Sequence, residues 1–286
     1  MKQRTSWMRP EAKSEDLLYT ATRGKDSSGH YLAVFTYPKG KHVGQVSVAS
    51  SSGLCSDSKG DIFVTQGSNT GGDSQIVEYA HGGTQPIATL SDPYNGAFGC
   101  SVDPATGNLA VANSGGIART GNVLVYPKAS GTPTAYQFLY APFFCAYDGS
   151  GDLFVLSELL GRHIMHPLDE LVEGANQFRS LKMQKRVPYP MGVQWDGTYL
   201  VFGLGTNDVN LGRLHRYTIQ GDRAIFENGI KLGVFANSFL IQGSTVMVSG
   251  GGYNNIWLLT YPGSARKKYL KVNGPYGIAI SVAPSK

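Results

Sequence analysis

The chain has 286 residues and a formal net charge of +5; only 16% of its residues are charged, against about 25% in an average domain, and 37 are glycine. Its 41% hydrophobic content is enough to bury a core and excludes a disordered chain. No run approaches the roughly 18 apolar residues of a membrane-crossing helix. Low charge and abundant glycine together predict tight turns between largely buried strands.

Residues 1–14 are polar and basic and read as an N-terminal tail. They have no apolar run of signal-peptide length behind them. The rest, 15–286, reads as one domain. Strand-like runs at 16–20, 31–36 and 43–47 come first. A phrase then recurs: LCSDSKGDIFV at 54–64, GCSVDPATGNLAVA at 99–112 and FCAYDGSGDLFV at 144–155, with Cys55, Cys100 and Cys145 spaced by 45 residues. Self-similarity at this period, with several short strands per unit, predicts propeller blades.

Each unit reads as an inner strand, a Gly-centred turn, a second strand, a polar loop, a third strand, another turn and an outer strand. Inner strands are expected at 53–57, 98–103, 143–148, 191–196, 238–242 and 276–282. Second strands follow at 61–65, 108–112, 152–156, 199–202 and 245–249, where apolar and polar residues alternate. Tyr37, Tyr79, Tyr126, Tyr217 and Tyr261 close the third strands, with His166 in the equivalent place of one degenerate unit. A tyrosine there, apolar in body and wet at its hydroxyl, is expected on the outer rim. The last inner strand has nothing after it but four residues, while the chain begins on a second-type strand. The predicted fold is therefore an all-β, six-bladed β-propeller of four-stranded antiparallel blades. Pairing of the C-terminal strand with the N-terminal blade closes the ring and removes exposed edges. The stretch 155–187 departs most from the repeat and is expected to make a longer excursion with a helical turn.

The pattern Gly-x-x-x-Asp-x-x-Gly-Asn before a β-branched strand resembles NHL-repeat propellers and related six-bladed rings. The resemblance covers essentially 15–283 and is densest over 51–155. EYAHGGT at 78–84, GCSVDP at 99–104 and GVQWDG at 192–197 are similar to a group of uncharacterised bacterial propeller proteins. The resemblance implies the fold, a bacterial source and an extracellular or periplasmic setting, and it carries no catalytic residues.

Ligand-face candidates lie in the loops between second and third strands and in the connections into the inner strands. The loops supply Asn69, Asp73, Asn113, Arg119, Glu158 and His163, then Asn207, Asp208, Tyr253 and Asn254; the connections supply Phe144, Tyr189 and Tyr276. Rings beside amide side chains are how many proteins hold sugars or peptides; the same residues are also ordinary turn formers and inter-blade packing. The function expected is a non-enzymatic binding scaffold presenting one propeller face to a peptide, protein or saccharide. No cofactor is expected, and the chain is expected to be a monomer.

The alternative is a metal-dependent hydrolase or lyase of the gluconolactonase type, in which carboxylate and amide oxygens hold a divalent cation. Its carboxylates would come from Asp26, Asp73, Glu158 and Asp208. The repeating Asp57, Asp103, Asp148 and Asp196 sit at strand exits and read as turn formers. The three cysteines suit small buried hydrophobes, or a soft-metal cluster, better than a disulfide scaffold. Absent disulfides would fit a reducing interior, while the resemblance leans towards export. Among the six histidines, only His163, beside Glu158 and Arg162, is placed for acid–base work near the expected ligand face. The basic groups at 39–41, 182–186 and 266–268 carry no base-stacking motif and read as a solvated rim rather than a nucleic-acid surface.

Overall fold

The computed structural model describes residues 5–23, 29–67, 73–94, 96–115, 120–158, 167–205, 212–250 and 253–284. Among them the protein is a β-propeller built from five sheets. The first runs in the order β1 (Trp7–Met8), β4 (His42–Val48), β3 (His30–Thr36), β2 (Leu17–Arg23), β25 (Pro275–Ser281). The C-terminal strand thus pairs antiparallel with β2, from Leu17↔Ser281 to Thr22↔Pro275. The stretch expected as a tail contributes β1, which lies along the outer edge of β4, and a short 3-10 turn, Pro10–Lys13, whose Ala12 is fully buried.

Two further sheets are four-stranded meanders: β5 (Gly53–Ser56), β6 (Ile62–Gln66), β7 (Ser74–Tyr79) and β8 (Pro86–Asp92), then β9 (Ala97–Val102), β10 (Leu109–Asn113), β11 (Asn122–Tyr126) and β12 (Thr134–Gln137). The eight-stranded sheet contains two such meanders. The first is β13 (Ala141–Tyr147), β14 (Leu153–Glu158), β15 (Leu168–Leu171) and β16 (Arg179–Met183); the second is β17 (Pro190–Trp195), β18 (Leu200–Leu204), β19 (Arg213–Gln220) and β20 (Arg223–Lys231). They join through a short parallel contact, Lys182↔Arg223 and Met183↔Ala224. The fifth sheet is β21 (Ser238–Gln242), β22 (Thr245–Ser249), β23 (Asn255–Thr260) and β24 (Arg266–Lys271).

The second strands are buried throughout, as in β6, β10, β18 and β22, which is why they read as continuous apolar runs. The cores lie between neighbouring sheets: one cluster, for example, joins Phe63 and Ile76 to Leu109, Val111 and Tyr126. The turn aspartates do what their positions require. Asp57 Oδ1 accepts the N–H groups of Lys59 and Asp61, Asp148 Oδ1 those of Ser150 and Asp152, and Asp196 Oδ1 those of Thr198 and Tyr199.

Three expectations are corrected. Three of the third-strand tyrosines, Tyr79, Tyr126 and Tyr217, are buried rather than wet, while Tyr37 and Tyr261 are partly buried. The Tyr126 and Tyr217 hydroxyls donate to the carbonyls of Ser91 (2.9 Å) and Lys185 (2.8 Å) on or just beyond the outer strand of the preceding meander. A phenol at that depth needs an acceptor, and the neighbouring outer strand supplies it. The equivalent of these tyrosines in the degenerate unit is Leu171, which faces Leu153 as Tyr126 faces Leu109; His166 lies outside the described residues. The stretch 168–171 is itself the third strand β15, with no helix among the described residues of 155–187; the other part of the expected excursion, 159–166, lies outside the described residues.

Candidate functional site

The inner strands β5, β9, β13, β17, β21 and β25 surround a cavity of about 690 Å³. Its walls come together because the strands approach closely at the end where they begin. A Cβ on Gly53 would lie 2.1 Å from the carbonyl oxygen of Phe98, and one on Gly99 2.6 Å from that of Phe143. Several polar side chains of these strands tie neighbours together. Ser56 Oγ donates to the Ile280 carbonyl (2.7 Å), Ser101 Oγ accepts from the Tyr147 N–H (3.0 Å), and Ser238 Oγ accepts from the Gly277 N–H (3.1 Å). The Gln194 amide bonds both the carbonyl (2.8 Å) and the N–H (2.7 Å) of Ile241.

The cysteines complete this set, against the expectation of separate thiols. Cys55 and Cys100 form a disulfide between β5 and β9. Only Cys145 is a free thiol; it is buried, with the Gly99 and Ala110 carbonyls as sulfur contacts at 3.8 and 3.7 Å. Cys100 and Cys145 hold equivalent registers, each two residues before the last pair of its strand, yet the bond forms between Cys100 and Cys55, which sits one residue nearer its turn. Adjacency of β5 and β9 with this one-residue offset, not the 45-residue period, brings the two sulfurs together. The soft-metal reading falls with this pairing.

At the mouth, four inner strands carry one extra residue relative to their partners. The irregularities lie between Ala97 and Cys100, at Phe143, at Met191 and at Gly277. Such bulges re-aim side chains. Phe143 and Phe144, which a regular strand would send to opposite faces, both meet Phe98 edge-on, at centroid distances of 5.1 and 5.6 Å. Beside them opens a second cavity of about 350 Å³, lined also by Leu156, Ser157, Glu158, Tyr189 and Pro190; Phe98, Phe144 and Pro190 line both cavities. Sequence reasoning marked the aromatics as a class but could not foresee the bulges, which have no residue signature of their own.

Of the candidate residues, Phe144, Glu158 and Tyr189 come together at this second cavity. Tyr276 lies at the mouth of the first, its hydroxyl 2.9 Å from both His30 Nδ1 and Ser51 Oγ, a pair that the sequence did not single out. Asn113 is fully buried: its Nδ2 donates to Asn122 Oδ1 (2.9 Å) and Asp92 Oδ1 (3.3 Å). Burial pushes the Asp92 carboxyl up to about 6, partly offset by the hydrogen bonds from the Tyr94 N–H and Asn113. Tyr253 is exposed and stacks on Phe235 at 5.7 Å, while Asn254 holds the Gly274 N–H (2.8 Å). Asp73 is exposed ahead of β7. Asn69, Arg119, His163, Asn207 and Asp208, with Asp26, lie outside the described residues.

The basic clusters are engaged locally. Lys39 pairs with Glu15, Lys41 with Glu11 and Lys182 with Asp222; Lys185 lies over the Phe226 ring and Arg266 over Trp257.

No family model matches the chain, and no curated protein matches it in sequence. Solved structures do match in shape. A chain of a nidogen/laminin complex superimposes with a TM-score of 0.68 at 14% identity, covering 94% of this chain and 100% of that one. The periplasmic gluconolactonase of Pseudomonas aeruginosa gives 0.62 at 14%, with coverage of 94% and 100%. A candidate 6-phosphogluconolactonase of Bacteroides fragilis gives 0.61 at 12%, with 95% and 99%. At these identities the likeness establishes the propeller fold. No helix of the described residues is long and apolar enough to cross a membrane.

Proposed function

We propose that the protein is a binding scaffold that presents the end of its propeller where the inner strands begin to a peptide, protein or saccharide. In this reading the propeller has six four-stranded units, the last completed by β25 against β2, and the NHL-like resemblance describes its repeat. The observation that carries the proposal is the bulge-built aromatic cluster beside a cavity at that end. Aromatic surface shaped around a recess, with a few polar groups at its edge, is the composition of a ligand pocket. The nidogen/laminin neighbour supports the reading in so far as that structure is a complex between proteins.

The lactonase reading is kept second because two neighbours bear gluconolactonase names. Among the described residues its donor set is not assembled, and two of its four carboxylates, Asp26 and Asp208, lie outside them. The larger cavity is lined by a single carboxylate, Asp148, whose Oδ1 already accepts two backbone N–H groups, and no three His, Cys, Asp or Glu side chains converge on a metal position among the described residues. Asp73 precedes β7 of one sheet and Glu158 ends β14 of another. The disulfide supports maturation in an oxidising compartment, in line with export, and removes the argument for a reducing interior.

Two measurements on the same preparation separate the readings. Saturable binding on a glycan and peptide panel, lost in Phe144→Ala, supports the scaffold. Turnover of aldonolactones with one equivalent of a divalent ion per chain, and no panel ligand, replaces it with the hydrolase.

A further inference from the structure

The outer strands of the meanders form sheet edges, and most of these are guarded. β4 is covered by β1, and β16 and β20 pair with each other. β24 presents exposed Arg266, Lys267 and Lys271, while β8 opens on Pro86 and lends its Ser91 carbonyl to the Tyr126 hydroxyl. Cover, charge and proline are the ordinary ways of blunting an edge. β12 has none of them within the strand: its neighbour in the sheet is β11 alone, Pro133 stands ahead of its first residue, and no charged residue lies between Lys128 and Asp148. The Phe138 N–H bonds the Gly121 carbonyl (2.9 Å), and bonded positions alternate along an antiparallel pair. Thr134, Tyr136 and Phe138 therefore turn their backbone groups to β11, while Ala135 and Gln137, both exposed, turn theirs outward. Tyr136 and Phe138 share the other face of the strand, where Phe178, just ahead of β16, meets both rings at centroid distances of 5.3 and 4.9 Å. All three rings are only partly buried.

An open edge beside partly exposed rings suits strand addition, in which main-chain bonds give affinity and alternate side chains give selectivity. The chain shows the mode on another outer edge: the short segment β1 adds antiparallel to β4, with Met8 packed over Gly44. We propose that β12 receives an extended, antiparallel peptide segment of another protein, whose alternate apolar residues lie on Tyr136, Phe138 and Phe178. The peptide residues opposite Ala135 and Gln137 supply the backbone bonds. The residue opposite Tyr136 stands in a non-bonded pair, where side chains come closest, and is aromatic or β-branched. This edge shares no residue with the aromatic recess and does not depend on the function proposed for that recess.

The test titrates the full chain with a short end-blocked peptide that alternates threonine with valine and phenylalanine between terminal lysines, read by calorimetry and amide hydrogen exchange. Binding is expected to slow exchange at Ala135 and Gln137, whose amides exchange freely in the unbound chain. N-methylation of the threonines, whose N–H groups face β12, is expected to weaken binding at least about tenfold. N-methylation of the apolar residues, whose N–H groups face away, is expected to change it less than about threefold. Gln137→Pro removes an outward N–H that β11 does not use and is expected to abolish binding. If that variant does not fold, Phe178→Ala, which takes one ring from the cluster, is expected to weaken the peptide at least about fivefold. Equal losses from the two N-methylated peptides overturn the assignment, as does failure of the unmodified peptide to bind or binding unchanged in Phe178→Ala. Protection of Ala135 and Gln137 in the unbound chain that fades on dilution assigns the edge to a second copy and overturns the peptide assignment.

Discussion

Cys55 and Cys100, 45 residues apart in sequence, are covalently joined across two neighbouring inner strands with their Cα atoms 5.7 Å apart. The bond links two meanders whose other contacts there are packing and a few hydrogen bonds. Closing a loop of that length removes about 4 kcal/mol of chain entropy from the unfolded state in the simple cross-link model. The third repeat cysteine, Cys145, is left buried, with burial pushing its thiol up to about 12.

Two measurements follow from that arrangement. The double variant Cys55→Ser with Cys100→Ser is expected to lower the midpoint of thermal unfolding by several degrees without changing far-UV circular dichroism. Alkylation followed by mass spectrometry is expected to add no label to the native protein, one label after denaturation without reductant, and three with reductant. Two or more labels on the native protein would show that the disulfide is absent in solution.

The repeat phrases made the propeller legible because each carries its turn and its buried strand in the same dozen residues. The inner strands expected at 98–103 and 191–196 lie within one residue of β9 and β17 at either end. What stayed hidden depends on neighbours distant in sequence. The disulfide needs two units side by side, and the tyrosine hydroxyls need an outer strand that only the preceding unit supplies. The aromatic recess needs extra residues at Phe143 and Met191 that alternate with nothing. In the degenerate unit Leu171 replaces the tyrosine, so the eye is drawn to His166 instead.

Asp196 anchors a second inter-unit tie. Its Oδ2 accepts from the Tyr261 hydroxyl and lies 3.5 Å from Arg216 Nε, while the Arg216 guanidinium sits 4.0 Å above the Tyr199 ring. Asp196 is 3% exposed at its side chain and Arg216 16%. Removing one partner leaves the other charge buried, so Asp196→Ala is expected to cost about 3–5 kcal/mol. Tyr261→Phe, which removes one hydrogen bond and keeps the ring, is expected to cost about 1–2 kcal/mol. Denaturant melts of the two variants check the order; Tyr261→Phe costing as much as Asp196→Ala would contradict it.

Gly53 tests whether the cavity mouth depends on close backbone approach. Its added Cβ meets a backbone oxygen, which cannot swing aside as a side chain can. Gly53→Ala is expected to destabilise by about 2–4 kcal/mol, within the range of steric strain in packed interiors. Gly131→Ala, in open space but with φ of 70°, serves as the comparison, at about 1 kcal/mol. Chemical denaturation of both should show the larger loss at Gly53; equal losses would mean that the strands yield.

Asp92 and His215 give stability opposite pH slopes in one window. The Asp92 carboxyl is raised to about 6, mainly by burial; an unfolded aspartate titrates near 3.9. Between about pH 4 and 6 the folded chain therefore holds a proton that the unfolded chain has lost, and stability falls as pH rises. His215 is lowered to about 4, by burial first and then by the charges of Lys185 and Arg213; an unfolded histidine titrates near 6.5. Between about pH 4 and 6.5 the unfolded chain binds the extra proton, so His215 makes stability rise with pH. Each slope is at most about 1.4 kcal/mol per pH unit, and the wild type shows only their difference. Asp92→Asn is expected to steepen the rise of unfolding free energy from pH 4 to 6, and His215→Gln to turn that rise into a fall. Urea melts at half-unit intervals read both slopes, and parallel profiles for all three proteins would show that neither group titrates as its burial dictates.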